Sequence, residues 1–404
     1  MEQWNIIKAH DYCYNVTDGT HDSPKQTEFG KYLITSKHIK DNRIDFESAY
    51  KISEDDYNKI ITRSKVDQWD IIISMIGAYC GFCCIESSKQ TDYAIKNVGL
   101  LKVGNEFKCK WLYYYLTSPH GKQQLSKLRS GSSQPYISLG ALRNLDIPVP
   151  NENTMSDIVS VLSSLDSKIE LNRRINDNLE QQAQALFKSW FVDFDPIKNG
   201  EFVDSELGMI PKGWRVVYLG EVTTECKEKV GERQDVKVLS PVTTGELLLS
   251  EEYFTKQVFS NNISKYIVVK PNEFAYNPAR VNIGSLGINT FSFDGCVSPV
   301  YVVFKTEQNY HHFFNLFRNR EAFKNEINSR AIGGVRQTLS YKDFSLIKLV
   351  YPPQSVIIEF NTIYLMLLNK IESAIAESKH LAQLRDTLLP RLMSGELIIN
   401  DLNC

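Results

Sequence analysis

The sequence predicts an α/β (mixed α+β) protein in which two duplicated globular domains are separated by two long helices. Three observations predict this architecture: residues recur at a constant offset in the two halves, each half opens with short β-branched and aromatic runs, and each half closes with a heptad-patterned segment. We expect the helices to pack as an antiparallel coiled coil, with the domains related by a pseudo-two-fold axis. The predicted order is a first domain at 1–150, a helix at 151–195, a linker and second domain at 196–352, and a second helix with a tail at 353–404.

The duplication is visible as like residues separated by half the chain. Pro150 and Pro352 differ by 352 − 150 = 202 positions in a chain of 404 residues. The same offset relates Gly131 to Gly333 and Ser138 to Ser340. Further pairs are Gln134 with Arg336, Leu142 with Phe344, Lys168-Ile169-Glu170 with Lys370-Ile371-Glu372, Leu179 with Leu381 and Leu186 with Leu388. A repeat in one register indicates two copies of one structural plan.

The domains are predicted to mix short strands with helices. The strands expected from β-branched and aromatic runs are Asp70–Ser74, Val98–Val103, Lys265–Lys270, Val300–Lys305 and Ile347–Tyr351. The helices expected inside the domains are Lys110–Thr117 and Tyr310–Asn328. The apolar run from Ile71 to Ile85 is shorter than the ~20 residues that span a bilayer, so it predicts one or two buried strands.

The first long helix is predicted to follow Pro150, with a capping box formed by Thr154 and Asp157. Apolar residues then recur in steps of four and three, which is the pattern of a coiled-coil seam. The predicted seam positions are Ile158, Leu162, Leu165, Ile169, Asn172, Asn176, Leu179 and Leu186 in the first helix, and Leu367, Ile371, Ser378, Leu381 and Leu388 in the second. Pro390 and Gly395 are expected to mark the end of the second helix.

Two features favour a helix–helix seam over helices that each pack only on their own domain. The first helix, from Thr154 to Trp190, would be about 55 Å long. Polar residues also stand in the middle of the seam, at Asn172, Asn176 and Ser378. A polar core position fixes register at some cost in stability.

Composition narrows the class of protein. The net charge of −2, from 46 basic and 48 acidic residues, argues against a protein that simply coats DNA. Without a secretory signal or a membrane segment, we expect a cytoplasmic protein whose cysteines are reduced thiols. Cys80 and Cys83 have CxxC spacing, but no second pair stands nearby, so no metal site is predicted.

The sequence carries no recognisable catalytic motif. Asn277-Pro278 resembles part of the Asn-Pro-Pro-aromatic motif of amino-methyltransferases, but the second proline and the aromatic residue are missing. Neither a phosphate-binding loop nor a glycine-rich S-adenosylmethionine loop is present. We therefore predict no catalytic site and no cofactor in this chain. The alternatives that stay open are a stand-alone DNA methyltransferase or nuclease, and a coiled-coil adaptor that does not bind DNA.

Two similar domains on a rigid spacer suit the reading of a divided DNA target. A rod of this length separates two reading domains by about one DNA turn of ~34–36 Å. Arg fits guanine edges, and Asn or Gln fits adenine edges. The candidate DNA contacts in the first half are Lys25, Ser36, Lys37, His38, Arg129, Ser132, Ser133, Gln134 and Tyr136. Those in the second half are Thr243, Tyr276, Asn277, Arg280, Arg330, Arg336 and Gln337.

Three motifs resemble those of one known family. The central one is Gln184-Ala185-Leu186-Phe187-Lys188-Ser189-Trp190-Phe191-Val192-Asp193-Phe194-Asp195-Pro196, followed by Leu207-Gly208-Met209-Ile210-Pro211-Lys212-Gly213-Trp214. The C-terminal one runs from Leu384-Arg385-Asp386-Thr387-Leu388-Leu389-Pro390 to Leu397. Asp18-Gly19-Thr20-His21-Asp22-Ser23-Pro24-Lys25 resembles the start of a first domain. Together they resemble the specificity subunits of Type I restriction-modification systems.

The resemblance implies more than the residue pattern does. Such subunits carry two target-recognition domains and two conserved helices packed antiparallel, which dock two modification (methyltransferase) subunits. Restriction subunits, which are ATP-dependent translocases and nucleases, join the larger complex. The resemblance therefore implies double-stranded DNA and these subunits as partners, with S-adenosylmethionine and ATP/Mg²⁺ bound by the partners.

Overall fold

The computed structural model describes residues 4–40, 42–131, 133–254, 259–330 and 338–397. The chain forms two compact units, which are not consecutive in sequence. Unit 1 comprises Met1–Arg174 with Ala374–Cys404, and unit 2 comprises Ile175–Ser373. Each of the two 40-residue helices, Glu152–Phe191 and Gln354–Met393, contributes residues to both units.

The described residues of unit 1 form eleven short strands, five short helices and parts of the two long ones. Its strands are β1 (Asn5–Lys8), β2 (Asn15–Asp18), β3 (Lys31–Thr35), β4 (Ile39–Lys40), β5 (Arg43–Ile44), β6 (Tyr50–Ile52), β7 (Asp70–Ser74), β8 (Cys83–Ile85), β9 (Tyr93–Lys96), β10 (Val98–Lys102) and β11 (Asp146–Val149). Its helices are α1 (Ala9–Tyr12), α2 (Glu54–Ser64), α3 (Glu106–Thr117), α4 (Pro119–Lys127), α5 (Leu139–Arg143) and the first part of α6 (Glu152–Phe191). A 3-10 turn spans Ser36–His38.

A four-stranded sheet of order β2-β10-β7-β8 lies at the centre of unit 1, and all of its strand pairs are antiparallel. A second sheet has the order β6-β3-β9, in which β3 and β9 run parallel. Helix α3 buries seven of its twelve residues, among them Trp111, whose indole N–H donates to the carbonyl oxygen of Pro148 at 3.0 Å. One face of this sheet packs with α3 in one core, and the other face lies in a second apolar cluster.

Unit 2 has a corresponding set of elements. Its strands are β12 (Phe202–Val203), β13 (Ile210–Pro211), β14 (Arg215–Tyr218), β15 (Thr223–Cys226), β16 (Lys237–Pro241), β17 (Leu247–Leu249), β18 (Ile267–Val269), β19 (Phe274–Tyr276), β20 (Leu286–Ile288), β21 (Gly295–Val297), β22 (Val302–Thr306) and β23 (Lys348–Tyr351). Its helices are α7 (Leu219–Val222), α8 (Ser250–Tyr253), α9 (His311–Phe317), α10 (Glu321–Arg330), α11 (Tyr341–Phe344) and the first part of α12 (Gln354–Met393). Two 3-10 turns span Asp195–Ile197 and Val281–Ile283.

The two units repeat one topology. The order β15-β22-β19-β20 in unit 2 matches β2-β10-β7-β8 in unit 1, and the parallel pair β16-β21 matches β3-β9. Ser138 and Ser340 cap α5 and α11 in the same way, because each side-chain oxygen accepts a bond from the backbone N–H three residues later. The predicted duplicated α+β fold with two long helices is confirmed, and Asp70–Ser74 is a strand as predicted.

The core of unit 2 is rich in aromatic side chains. Phe191 of α6 packs edge-on against Phe360 of α12, with ring centroids 4.8 Å apart, and against Phe313 of α9 at 4.9 Å. Aromatic pairs in this arrangement contribute about 0.5–1.5 kcal/mol each beyond the area they bury. The family-like motif around Phe191 therefore has a structural role in unit 2.

Three predicted helix boundaries need correction. The cap of α6 is Asn151, whose side-chain oxygen accepts from the backbone N–H of Thr154 at 2.8 Å, so Thr154 lies inside the helix. Pro390 does not end α12, which continues to Met393; Gly395, at φ +70°, follows its end as expected. The single helix predicted at Tyr310–Asn328 is two helices, α9 and α10.

Candidate nucleic-acid interface

In unit 1, one end of the four-stranded sheet gathers several polar loops. Ser74, where β7 ends, pairs with Val98, where β10 begins. The segment that follows β2 also reaches this end, since the backbone N–H of Gly19 donates to the carbonyl oxygen of Val98 at 2.9 Å. The loop between β7 and β8 leaves from the same end.

The glycine-containing loop that the sequence singled out folds onto the β7–β8 loop. The backbone groups of Ser130 and Tyr136 exchange hydrogen bonds of 2.8 and 2.9 Å, which pairs the two ends of a short hairpin. The N–H of Gly77 donates to the carbonyl oxygen of Pro135 at 2.9 Å, and that of Ile137 donates to Met75 at 2.9 Å. The hairpin is thus fixed by backbone bonds while its side chains are left for other contacts.

The side chains of this hairpin are largely exposed. Tyr136 has 45% of its surface accessible, and Ser133 and Gln134 are also exposed. Arg129, also exposed, donates from its guanidinium to the carbonyl oxygen of Cys80 at 2.5 Å, so it is tied to the β7–β8 loop. Ser132 lies outside the described residues. The structure therefore brings Arg129, Gln134 and Tyr136 together.

The candidates at the start of unit 1 divide into exposed and buried residues. Lys25 and Lys37 are exposed. Ser36 and His38 are buried: the Ser36 hydroxyl donates to the carbonyl oxygen of Asn97 at 2.7 Å, and His38 Nδ1 accepts from the N–H of Thr35 at 3.0 Å. Burial and the charge of Lys37 lower the pKa of His38. Ser36 and His38 are therefore corrected from surface contacts to residues that shape the turn.

Unit 2 repeats the loop arrangement. The N–H of Leu339 donates to the carbonyl oxygen of Pro278 at 3.1 Å, as Ile137 donates to Met75 in unit 1. Arg280 is exposed and Asn277 is half-buried, and the amide oxygen of Asn277 accepts from the N–H of Ala279 at 3.0 Å. Tyr276 is fully buried in the aromatic core, so it is corrected from a DNA contact to a core residue.

The other candidates of unit 2 lie close to the same loop or outside the described residues. Thr243 is exposed, and its backbone carbonyl approaches Gly284 so closely that a side chain there would overlap it. Arg330 ends α10, which packs on the turn Val281–Ile283, and its guanidinium pairs with Glu326 at 2.9 Å. Arg336 and Gln337 lie outside the described residues.

The predicted helix seam is protected from solvent. None of the eight seam positions predicted in α6 and none of the five predicted in α12 is exposed. The first and last of them are Ile158 and Leu186 in α6, and Leu367 and Leu388 in α12. In unit 1 the helices run antiparallel, because Asp166 pairs with Arg385 whereas Asn172, further along α6, contacts Glu377 and Ala374, earlier in α12.

Titratable groups away from the loops form a closed structural cluster. In unit 1 the ammonium of Lys102 is 2.8 Å from Asp67 and 2.7 Å from Asp70. Burial raises the pKa of Asp70 to about 6, although the hydrogen bond from Lys102 opposes this. The cluster lies at the sheet end opposite the loops, since Asp70 pairs with Lys102 where Ser74 pairs with Val98.

Among the described residues, no three His, Cys, Asp or Glu side chains are grouped so that they could hold a metal ion. The described cysteines, including Cys80 and Cys83, are free thiols. No described helix has the length and apolar character needed to cross a bilayer.

A similar combination of duplicated sheets and long helices is found in an S subunit of a Type I restriction-modification system. The structure of such a subunit from M. genitalium superposes with a TM-score of 0.56 at 15% identity, covering 97% of this chain and 96% of that one, which shows the likeness of fold. Residues 1–181 match the family described as the Type I restriction modification DNA specificity domain.

Relatives of this family are similar along most of the chain. The Type I restriction enzyme MjaIX specificity subunit of Methanocaldococcus jannaschii is 28% identical, over 72% of this chain and 70% of its own length. The HindI specificity subunit of Haemophilus influenzae is 26% identical, over 68% of this chain and 74% of its own. Residues 1–181 thus belong to the specificity-domain family, and the expected kinship with Type I specificity subunits is confirmed.

Proposed function

We propose that the chain reads a bipartite DNA target, one half-site per domain, and docks methyltransferase subunits through its two long helices. In this proposal the unread gap separates two different half-sites, because the two domains share topology but differ in their loop residues. Restriction subunits join the larger assembly. The reader itself performs no chemistry.

The observation that carries this proposal is the repeated loop arrangement. In unit 1 the loop after β7 accepts a backbone hydrogen bond from Ile137, which directly precedes the serine that caps α5. In unit 2 the loop after β19 accepts one from Leu339, which directly precedes the serine that caps α11. Among the described residues, the exposed side chains at this place are Arg129, Gln134 and Tyr136 in unit 1 and Arg280 in unit 2, and the sequences of the two loops differ. Side chains of these types recognise base edges and phosphates, and differing sets favour different half-sites.

Exposed apolar residues on the long helices support the docking of partners. In unit 1 these are Leu171, Ile375 and Leu384; in unit 2 they are Ile175, Ile358, Leu365 and Met366. Apolar side chains grouped on an exposed helix face favour association with another protein. We assign the exposed apolar residues of each unit to contacts with methyltransferase subunits, two of them by the family resemblance.

The proposal places the chemistry in the partners. S-adenosylmethionine would bind the methyltransferase subunits, and ATP with Mg²⁺ would bind the restriction subunits. Asp70 and Lys102, the charged pair at the buried end of the sheet in unit 1, are buried and paired with each other. They are therefore better explained as structural than as catalytic groups.

Genome-wide methylation mapping tests the proposal. Cells that express this chain with its methyltransferase partner are compared with cells that lack the chain. A split methylation motif that disappears without the chain would support the proposal. An unchanged pattern, with the complex shown to assemble, would favour an adaptor that does not bind DNA, and methyl transfer by the purified chain alone would favour a methyltransferase.

A further inference from the structure

Unit 1 contains a cleft with an excess of positive charge. The cleft has a volume of about 520 Å³ and lies between the β7–β8 loop, α3, α4 and the end of α12. Four cationic residues line it, namely Lys40, Lys122, Arg129 and Arg385, and the carboxylate of Asp386 is the one acidic group among its described lining residues. In a chain whose net charge is −2, this is a local concentration of positive charge.

Three of the four cations have no acidic partner among the described residues. Arg385 is paired with Asp166 and Asp386, both at 2.8 Å. No described carboxylate lies within ion-pair distance of Lys40, Lys122 or Arg129. Unpaired cations that face one cleft favour an anionic ligand.

The cleft adjoins the hairpin that we propose as a base-reading element. Arg129 lines the cleft and begins the segment that leads into residues 130–136. Aromatic side chains mark the same edge: Lys40 lies over the ring of Tyr79, 4.4 Å from its centroid, and Tyr79 packs edge-on against Phe82, which is 41% exposed. An extended anionic ligand in the cleft would therefore also lie beside the hairpin.

We infer that this cleft holds the phosphodiester backbone of the DNA whose bases the neighbouring hairpin reads. This inference rests on the proposed function. It assigns Lys40 and Lys122, which lie outside the hairpin, to phosphate contacts, and it leaves Gln134 and Tyr136 to the bases. Phosphate contacts position the protein and carry no sequence information, whereas base contacts give specificity.

The two roles predict different responses to salt. A lysine that neutralises a phosphate releases counterions when DNA binds. The plot of log K against log salt concentration therefore has a negative slope, and each lost contact makes that slope less steep by about 0.9. The double variant Lys40→Ala/Lys122→Ala should therefore make the slope less steep by about 2. It should also reduce the affinity for target and non-target duplexes by the same factor. Gln134→Ala should weaken binding to the target alone and leave the slope unchanged.

The experiment measures duplex binding over a range of salt concentrations, with the full chain alone and in complex with its methyltransferase. Lys110→Ala is the matched control, since the ammonium of Lys110 is already paired with Glu106 at 2.7 Å, and it should leave the slope unchanged. The double variant Lys40→Gln/Lys122→Gln repeats the test with side chains that keep more of their length, and circular dichroism verifies the fold of each variant.

Three outcomes would overturn the inference, and they are distinguishable. Sequence-specific binding with an unchanged slope in both double variants would overturn the phosphate assignment and leave the proposed function standing. Loss of methyltransferase assembly at an unchanged slope would show that the cleft takes an acidic protein segment. Absence of any DNA binding by the unaltered chain, alone and in complex, would overturn the proposed function as well.

Discussion

Arg385, near the end of α12, donates a hydrogen bond of 2.8 Å to one carboxylate oxygen of Asp166 in α6, and the other oxygen of Asp166 accepts from the hydroxyl of Tyr114 at 2.8 Å. Within unit 1, one carboxylate therefore joins α6, α12 and the domain helix α3. The side chain of Asp166 is 22% exposed, so it is partly screened from water. Partly buried, charge-assisted hydrogen bonds of this kind contribute more to the stability of the fold than exposed ion pairs do.

The first prediction concerns this carboxylate. Asp166→Ala should lower the free energy of unfolding by about 1–3 kcal/mol, because the Tyr114 hydroxyl and one arm of Arg385 lose their acceptor. Asp386→Ala is the control: Asp386 also pairs with Arg385 but is 64% exposed, so its loss should cost about 0–1 kcal/mol. Urea denaturation followed by tryptophan fluorescence measures both. Equal losses for the two variants would show that Asp166 has no special role.

The second prediction concerns the polar residues of the helix seam. The side-chain amide of Asn172 donates to Glu377 at 2.7 Å, whereas the side-chain oxygen of Asn176 is buried without a hydrogen-bond partner among the described residues. Replacing a buried unsatisfied group removes a cost of about 1–3 kcal/mol. Asn176→Leu should therefore stabilise the chain more than Asn172→Leu does in the same denaturation experiment. A larger gain from Asn172→Leu would contradict this explanation.

The third prediction concerns partner docking through α12. Met366 is 55% exposed, so Met366→Glu should leave the fold intact and lower the affinity for the methyltransferase at least tenfold, since it places a charge in a desolvated contact. Met366→Leu, which keeps an apolar side chain of similar volume at the same position, is the matched control and should assemble as the wild type does. Mass photometry of the mixed subunits measures complex formation. If both variants assembled equally well, this face of α12 would not be the docking surface.

The fourth prediction concerns acid sensitivity. Burial, and then the neighbouring His311, lower the pKa of His312 to about 4, from 6.5 in the unfolded chain. As pH falls from about 6.5 to about 4, the unfolded state binds a proton that the folded state does not, so stability falls by at most about 1.4 kcal/mol per pH unit. His312→Asn removes this contribution, and its stability should decline less than that of the wild type in this window. Urea midpoints that decline in parallel would exclude His312 as the cause.

The strongly periodic parts of the structure were predictable from the sequence. Heptad spacing located seam residues such as Leu162 and Ile371, because a long helix buries one face wherever it packs. The constant offset located Ser138 and Ser340, whose capping depends on local backbone bonds alone. Both kinds of feature need only neighbouring residues in the chain.

Features that depend on distant contacts were not predictable. Tyr276 stands in a polar stretch of sequence, yet β19 is a central strand, so its side chain enters the aromatic core. Lys40 and Lys122 gave no signal as a pair because 82 positions separate them, 122 − 40, and only the fold brings both to one cleft. Proline usually breaks a helix, so the sequence predicts that the second long helix ends at Pro390, but α12 continues to Met393.

The most direct test of the central claim is an exchange of residues 1–150 for the first domain of another family member, followed by long-read sequencing of methylated DNA. If each domain reads one half-site, the exchange should change one half of the methylation motif and leave the other half and the gap length unchanged. A motif that changes in both halves, or in neither, would contradict the assignment of one half-site to each domain.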